Sequence, residues 1–112
     1  MTKYKIVLVP FPFDDLSSTK VRPAVCLTNP ITPKKHVVIA FITSKILSTP
    51  LPTDIILDKS DSEFVLTGLR VSSTLRIHRL TTITTSIIKR ELGQLSPKMQ
   101  SKVISCLLKL FT

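Results

Sequence analysis

The run His36-Val-Val-Ile-Ala-Phe-Ile42 is the most apolar stretch of this 112-residue chain. It is too short for a typical helix and is rich in β-branched side chains, which favours a strand. Apolar residues fill consecutive positions rather than alternate ones. The pattern therefore predicts a central strand that is buried on both faces of a sheet.

Shorter runs bounded by turn-forming residues lie on either side of this strand. The strands predicted from them, together with the central one, span residues 6–9, 22–28, 36–42, 54–57 and 69–80. Pro23 has no N–H group, so it belongs at the start of its strand or on an edge. Short strands interrupted by prolines argue against a doubly wound βαβ fold and predict a small barrel of antiparallel strands.

The segment Leu69 to Leu80 alternates in a way that is typical of a half-exposed strand. One face carries Val71, Ser73, Leu75 and Ile77, and the other carries Arg70, Ser72, Thr74, Arg76 and His78. The pattern predicts a wet face with two arginines. Residues 83–95 are ambiguous, because Gly93 can end a helix or permit a bend.

The C-terminal segment begins with Ser96-Pro97, which predicts a helix with Ser as its N-cap and Pro at its first position. The apolar stripe expected to pack on the domain consists of Met99, Val103, Leu107 and Leu110, with Ile104 and Phe111 beside it. The expected fold class is thus mostly β with a C-terminal helix (α+β), in one domain over residues 1–112.

The chain carries 16 Lys+Arg against 7 Asp+Glu, a formal net charge of +9. Four of the seven acids lie between Asp54 and Glu63, and from Phe64 onward only Glu91 opposes eight basic residues. Such a field favours polyanions, of which nucleic acid is the usual one. An acidic protein partner and a merely solubilising charge are the alternatives.

The composition also indicates where the protein resides. The apolar runs are far too short to span a bilayer, and no signal peptide is recognisable after Lys3 and Lys5. We therefore expect a cytoplasmic protein with no membrane partner. Cys26 and Cys106 lie far apart in apolar segments, which predicts two buried reduced thiols rather than a disulfide.

Most motifs of enzymatic chemistry are missing from the sequence. The two histidines and two cysteines lack metal-ligand spacing, the two glycines form no phosphate loop, and no nucleophile motif occurs. We expect no metal and no cofactor. What remains is Arg22, which opens one predicted strand, and Thr43, which closes another.

A site built from arginine and threonine suits RNA, because RNA carries its own nucleophile in the ribose 2′-OH. An arginine fork binds phosphate bidentately, and each such donor commonly contributes about 3–4 kcal/mol of transition-state stabilisation. Arginine hardly ever loses its proton, so Arg22 would stabilise charge first and donate a proton second. Acid–base catalysis by His36 and His78 is conceivable, although nothing in the sequence places them together.

Five segments of the chain, in this order, resemble the MazF/PemK family of type II toxin–antitoxin ribonucleases. They are Ile6-Val-Leu-Val9, Phe11-Pro-Phe-Asp-Asp-Leu-Ser-Ser-Thr-Lys-Val-Arg-Pro-Ala-Val25, Phe41-Ile-Thr-Ser44, Gly68-Leu69 with Val71-Ser-Ser-Thr-Leu-Arg76, and Leu92-Gly-Gln-Leu-Ser96. The resemblance covers nearly the whole chain. It implies an SH3-like barrel of the MazF/CcdB type with a C-terminal helix, acting as a homodimer.

The resemblance also implies an activity and its residues. It implies metal-independent, sequence-selective cleavage of single-stranded RNA to 2′,3′-cyclic phosphate and 5′-hydroxyl ends, inhibited by an acidic antitoxin. The family's catalytic arginine and threonine fall on Arg22 and Thr43. The residues expected to contact the substrate are Phe13, Asp14, Ser17, Lys20, Ser44, His78 and Arg79.

The sequence departs from the family at two places. Tyr4-Lys5 stand where many members have Gly-Asp, and Ser17 stands where many have a glutamate, with Asp14 or Asp15 as candidate substitutes. Two other functions are therefore kept as alternatives. One is a non-enzymatic gyrase inhibitor like the CcdB toxins, and the other is an inactive RNA-binding module of the same fold.

Overall fold

The computed structural model describes residues 2–10 and 20–112 of the chain. Its strands are β1 (Lys5–Pro10), β2 (Val21–Cys26), β3 (His36–Thr43), β4 (Asp54–Leu57), β5 (Ser73–Thr84) and β6 (Arg90–Gln94). Two 3₁₀ helices span Phe64–Thr67 and Thr85–Ile87, and the helix α1 spans Pro97–Phe111. The expected mostly-β fold with a C-terminal helix is confirmed.

All pairings in the six-stranded sheet are antiparallel, and the strand order is β4-β5-β3-β2-β1-β6. Within the described ranges the edge strands β4 and β6 do not pair with each other, so the sheet forms a half-barrel. The 3₁₀ helix Phe64–Thr67 packs against β6, and α1 packs against β4 and β5.

The central strand is buried on both faces, as its apolar run predicts. Ala40 and Ile42 belong to the core that faces α1, whereas Val37 and Ile39 belong to a second apolar cluster on the other face. These four side chains are at most 2% exposed. The two apolar clusters of the molecule therefore both contain side chains of β3.

The fifth strand lies further along the chain than predicted. It begins at Ser73, so Val71 is 51% exposed instead of buried, and it continues to Thr84. The four-residue β4 pairs with residues 73–76 only, while the longer β3 needs a partner as far as His36, which lies opposite Thr84. Pairing partners, rather than the alternation of side chains, set the ends of this strand.

The ambiguous segment that contains Gly93 forms the end of β5, a 3₁₀ turn and β6. Gly93 lies so close to the main chain of Leu66 and Thr67 that an added Cβ would overlap it. Gly68 has φ +73° and would clash in the same way with Leu92. The absence of a side chain at Gly93 lets the 3₁₀ helix Phe64–Thr67 and β6 approach each other. The sequence pattern of residues 83–95 did not reveal this role.

The C-terminal helix begins as predicted, with the Ser96 hydroxyl accepting a hydrogen bond of 3.3 Å from the Met99 N–H. The predicted stripe packs on the domain, since Met99 and Val103 are buried and Leu107 and Leu110 pack against the core, whereas Ile104 and Phe111 beside it are 51% and 72% exposed. Cys106 takes part in the core instead. In residues 2–10 and 20–112, no helix has the length and apolar character needed to cross a membrane.

Candidate functional site

The strands β2 and β3 separate at one rim of the sheet. Their last paired residues are Ala24 and Phe41, and two further steps along each strand lead to Arg22 and Thr43. Pro23 lies at the point of separation, where a missing N–H group costs no ladder hydrogen bond on the β3 side. Continued pairing would have placed Arg22 opposite Thr43, so the register brings both residues to the same opening.

A pocket of about 200 Å³ opens at this rim. The described residues that line it are Arg22, Phe41, Ile42, Thr43, Lys45, Arg76 and Arg79. Three of them, Arg22, Thr43 and Arg79, were predicted from the sequence. The structure thus brings the predicted arginine and threonine together with three further cationic side chains.

The walls of the pocket come from neighbouring strands on one face of the sheet. Phe41 lies opposite Arg76, and Arg76 lies opposite Asp54, so these side chains form one cross-strand row. Thr43 lies one row further along β3, opposite Thr74 of β5. Residues that are directly opposite in an antiparallel pair share a face, which explains why residues distant in sequence converge here.

The Thr43 hydroxyl has a defined orientation. Its Oγ1 accepts a hydrogen bond of 3.2 Å from the Lys45 N–H, while the buried Thr74 hydroxyl donates to the Lys45 carbonyl at 3.1 Å. A hydroxyl has one hydrogen to donate, and accepting from Lys45 does not use it. Thr43 can therefore donate to an anionic oxygen in the pocket, and the main chain of Lys45 is held on both sides.

The described residues that line the pocket give it a strongly positive charge. Arg22, Lys45, Arg76 and Arg79 all contribute to its walls. Among the described residues, Asp54 is the carboxylate nearest to these cations in the pairing, and it binds Arg76. A concave site with an excess of cations concentrates anionic ligands.

A bulge in β5 positions Arg79. Ala40 lies opposite Leu80, and the next residue of β3 lies opposite Arg76, so residues 77–79 have no partner on β3. Bulges redirect side chains next to functional sites. His78 lies in the same bulge but outside the pocket lining, with its Nδ1 4.0 Å from Asp54 Oδ1, which is too long for a hydrogen bond.

The other predicted contact residues lie elsewhere or outside the described residues. Lys20 is exposed immediately before β2, and Ser44 is exposed immediately after β3 without lining the pocket. The predictions for Phe13, Asp14 and Ser17, with that for Asp15, lie outside the described residues.

Sequence reasoning missed the roles of Lys45, Arg76, Thr74 and Asp54. Lys45 directly follows the Phe41-Ile-Thr-Ser44 segment, and Arg76 is one of the two arginines on the predicted wet face, so both carried a usable signal. No signal in the sequence pointed to the buried carboxylate of Asp54. Its contact with Arg76 spans 22 positions of sequence.

The two thiols are buried and free, as predicted. Burial raises the pKa of Cys26 to about 11, so its reactive thiolate is scarce at neutral pH. In the part of the chain that the structure describes, no three His, Cys, Asp or Glu residues cluster in a way that could hold a metal ion.

Residues 2–111 match a family described as PemK-like, MazF-like toxin of type II toxin–antitoxin system. An endoribonuclease in complex with its cognate antitoxin from a mycobacterial species has a TM-score of 0.75 at 14% identity, covering 99% of this chain and 94% of that one. The Mycobacterium tuberculosis toxin MazF-mt6 has a TM-score of 0.71 at 20% identity, covering 96% and 95%. Among curated proteins no match was found.

Proposed function

Because this chain belongs to the PemK-like, MazF-like toxins of type II toxin–antitoxin systems, we propose that it arrests growth by cutting single-stranded RNA. The proposed cleavage is sequence-selective, independent of metal ions, and takes place in the cytoplasm. The observation that carries the proposal is the basic pocket that Arg22 and Thr43 share. A mycobacterial endoribonuclease of the same fold supports it.

In the proposed reaction the substrate supplies the nucleophile. The ribose 2′-oxygen attacks the adjacent phosphorus, and the bond from phosphorus to the 5′-oxygen breaks. The 2′-OH gives its proton to water and the departing 5′-oxygen gains one, so the products carry a 2′,3′-cyclic phosphate and a 5′-hydroxyl. The protein has to stabilise the negative charge that builds up on the phosphate oxygens.

The two predicted catalytic residues have different tasks in this scheme. Arg22 presents a planar fork that fits two phosphate oxygens and is protonated when the substrate binds. Thr43 donates its hydroxyl hydrogen to a phosphate oxygen, because accepting from the Lys45 N–H leaves that hydrogen unused. As a secondary role, Arg22 would also pass a proton to the departing 5′-oxygen and regain one from water.

The test compares purified wild type with Arg22→Ala and Thr43→Ala on a long mixed-sequence RNA in the presence of EDTA. Arg90→Ala is the control, since Arg90 is an exposed arginine on β6, at the opposite edge of the sheet from β4. We expect cleavage by wild type and Arg90→Ala, and a loss of about a hundredfold or more in the other two. The new ends should carry a cyclic phosphate and a 5′-hydroxyl.

Three results would contradict the proposal. Wild type that leaves RNA intact, or cuts it only with added metal, would remove the proposed chemistry. Pocket variants that cut as well as wild type would remove the proposed site. Growth arrest with intact RNA and trapped gyrase would instead support the non-enzymatic alternative.

The proposal includes two protein partners. One is an acidic antitoxin, whose charge would complement the basic pocket, as the antitoxin complex of the mycobacterial endoribonuclease suggests. The other is a second copy of the chain, for which the exposed apolar residues Ile104, Leu108 and Phe111 on α1 offer surface to cover. Light scattering of the purified protein at several concentrations would measure whether two copies of the chain associate.

A further inference from the structure

One arginine of the pocket, Arg76, is held in position by the buried carboxylate of Asp54. Arg76 donates to Asp54 through Nε at 3.2 Å and through Nη2 at 3.3 Å. The Asp54 side chain is 0% exposed and also accepts from the Leu51 N–H at 2.8 Å. The Arg76 side chain retains 23% exposure, so its pair has one buried and one accessible member.

The pairing leaves part of the Arg76 guanidinium available to a ligand. Arginine has five N–H donors, and Asp54 uses two of them. Within the described residues the other three have no hydrogen-bond partner, and the same side chain lines the pocket. A guanidinium held along one edge loses little freedom when its remaining edge binds an anion.

The strand order puts this fixed guanidinium across the site from the predicted catalytic arginine. Arg22 is on β2, Thr43 is on β3, and Arg76 is on β5, and β3 lies between the other two strands. All three line the same pocket. A phosphate group that accepts a hydrogen bond from Thr43 would therefore have one guanidinium on either side.

We propose that Arg76 is a second phosphate-binding residue of this pocket and that Asp54 is the residue that positions it. The inference rests on the proposed RNA-cutting function and deepens it, because it assigns the opposite wall of the site. Arg76 binds the phosphodiester of single-stranded RNA through the edge that Asp54 leaves open. Asp54 touches no substrate and acts only through Arg76.

The experiment measures binding separately from cleavage. The binding probe is a mixed-sequence single-stranded RNA with every 2′-OH methylated, which removes the nucleophile, and the cleavage probe is the same RNA unmodified. The variants are Arg76→Ala, Arg76→Lys, Asp54→Asn and the double variant of Asp54→Asn with Arg76→Ala. Arg90→Ala controls for the loss of one positive charge, and circular dichroism melting confirms that each variant is folded.

We expect Arg76→Ala to weaken binding of the methylated RNA by about ten- to a hundredfold, the range for a hydrogen bond to a charged group. Arg76→Lys should restore little, because an ammonium cannot use the carboxylate and the phosphate with one planar fork. Asp54→Asn should weaken binding by about tenfold when Arg76 is present and by nothing further when Arg76 is already alanine. A merely structural Asp54 would weaken both backgrounds equally.

The outcomes separate this inference from the function on which it rests. If wild type cuts RNA and Arg76→Ala binds and cuts as wild type does, the assignment of Arg76 is wrong and the function stands. If Asp54→Asn lowers binding equally in both backgrounds, the positioning role is wrong. If wild type binds the methylated RNA without cutting the unmodified one, the function fails while the binding data still decide the role of Arg76. If wild type neither binds nor cuts, both fail.

Discussion

Thr43 shows how one side chain is prepared for its proposed task by the main chain around it. Its oxygen accepts from the Lys45 N–H, and Thr74 holds the Lys45 carbonyl from the neighbouring strand. This arrangement leaves the hydroxyl hydrogen of Thr43 available to an anion. The methyl group of Thr43 donates no hydrogen bond. Substitutions that remove only the hydroxyl or only the methyl group should therefore differ in their effect on cleavage.

Replacing Thr43 by valine removes the donor while keeping the shape. We expect Thr43→Val to slow cleavage by about a hundredfold, the typical loss for one donor to a developing oxyanion. Thr43→Ser keeps the hydroxyl and should stay within a few-fold of wild type. Single-turnover cleavage of unmodified RNA measures both variants.

A control with the same chemical change is available on β5. Thr82 is an exposed threonine of β5, opposite Val38 and outside the pocket. Thr82→Val makes the same chemical change and should leave the cleavage rate unchanged. Equal rates for Thr43→Val and Thr82→Val would show that the Thr43 hydroxyl has no part in the reaction.

Cys26 makes a prediction about stability rather than activity. Burial raises the pKa of its thiol to about 11 in the folded protein, above the ordinary value of 9.0. Between these values the unfolded chain loses the thiol proton and the folded chain keeps it. Stability should therefore fall as the pH rises from about 9 to about 11, with a slope from this group of at most about 1.4 kcal/mol per pH unit.

The measurement is denaturant unfolding of wild type and Cys26→Ala at several pH values from 8 to 11. Other groups titrate in the same range, so the informative quantity is the difference between the two proteins. We expect wild type to lose stability more steeply than Cys26→Ala above pH 9. Parallel curves would show that the Cys26 thiol titrates normally.

At the level of elements, the contact between β6 and the 3₁₀ helix Phe64–Thr67 depends on a side chain that is absent. A Cβ on Gly93 would overlap the main chain of Leu66 and Thr67, and neither can move as the tip of a flexible side chain could. Gly93→Ala should therefore cost about 1–3 kcal/mol or more, the usual range for overpacking. Thermal melting followed by circular dichroism tests this.

A substitution to alanine at an open position provides the control. Ser101 is exposed on α1 and donates only to the Pro97 carbonyl within its own helix, so Ser101→Ala should change the melting temperature little. A Gly93→Ala protein that melts with wild type would mean that β6 can separate from the 3₁₀ helix at no cost.

The elements also show what the sequence can and cannot reveal. The apolar run of β3 predicted its burial on both faces, and Ser96-Pro97 predicted the start of α1, because both signals are local. The start of β5 was wrong by four residues, since strand ends depend on partners that are distant in sequence. Long-range pairing is the part of the fold that alternation alone does not encode.

The candidate site likewise contains residues that the sequence predicted and residues whose roles depend on long-range contacts. Arg22 and Thr43 were predicted because one opens and the other closes an apolar run and because the family resemblance falls on both. The β2–β3 register then brings them to one pocket. Arg76 was noticed as a residue of a wet strand face and of a family-like segment, but it was given no role. Its orientation depends on Asp54, a contact between two strands that no local motif announces.

At the scale of the whole molecule, charge is unevenly distributed around the fold. Four cationic side chains line one pocket, whereas Asp58, Asp61 and Glu63 line a separate cleft beside the start of α1. There Asp61 accepts from the Glu63 N–H and binds Lys98 at 2.9 Å, contacts that lower its pKa. The separation gives the surface a basic end, so an RNA strand would be oriented as well as attracted.

The salt dependence of RNA binding tests whether the pocket or the total charge of +9 governs affinity. Each phosphate neutralised on a single strand contributes about −0.7 to the slope of log K against log salt. If the four cations of the pocket make the contacts, the slope should be about −3, whereas engagement of all 16 basic residues would give about −11. Fluorescence anisotropy of the 2′-O-methylated RNA over a KCl series measures it, and Arg90→Ala on β6 should leave the slope unchanged. A slope steeper than about −6, or one that falls with Arg90→Ala, would mean that RNA spreads over the whole surface and that the pocket does not define the site.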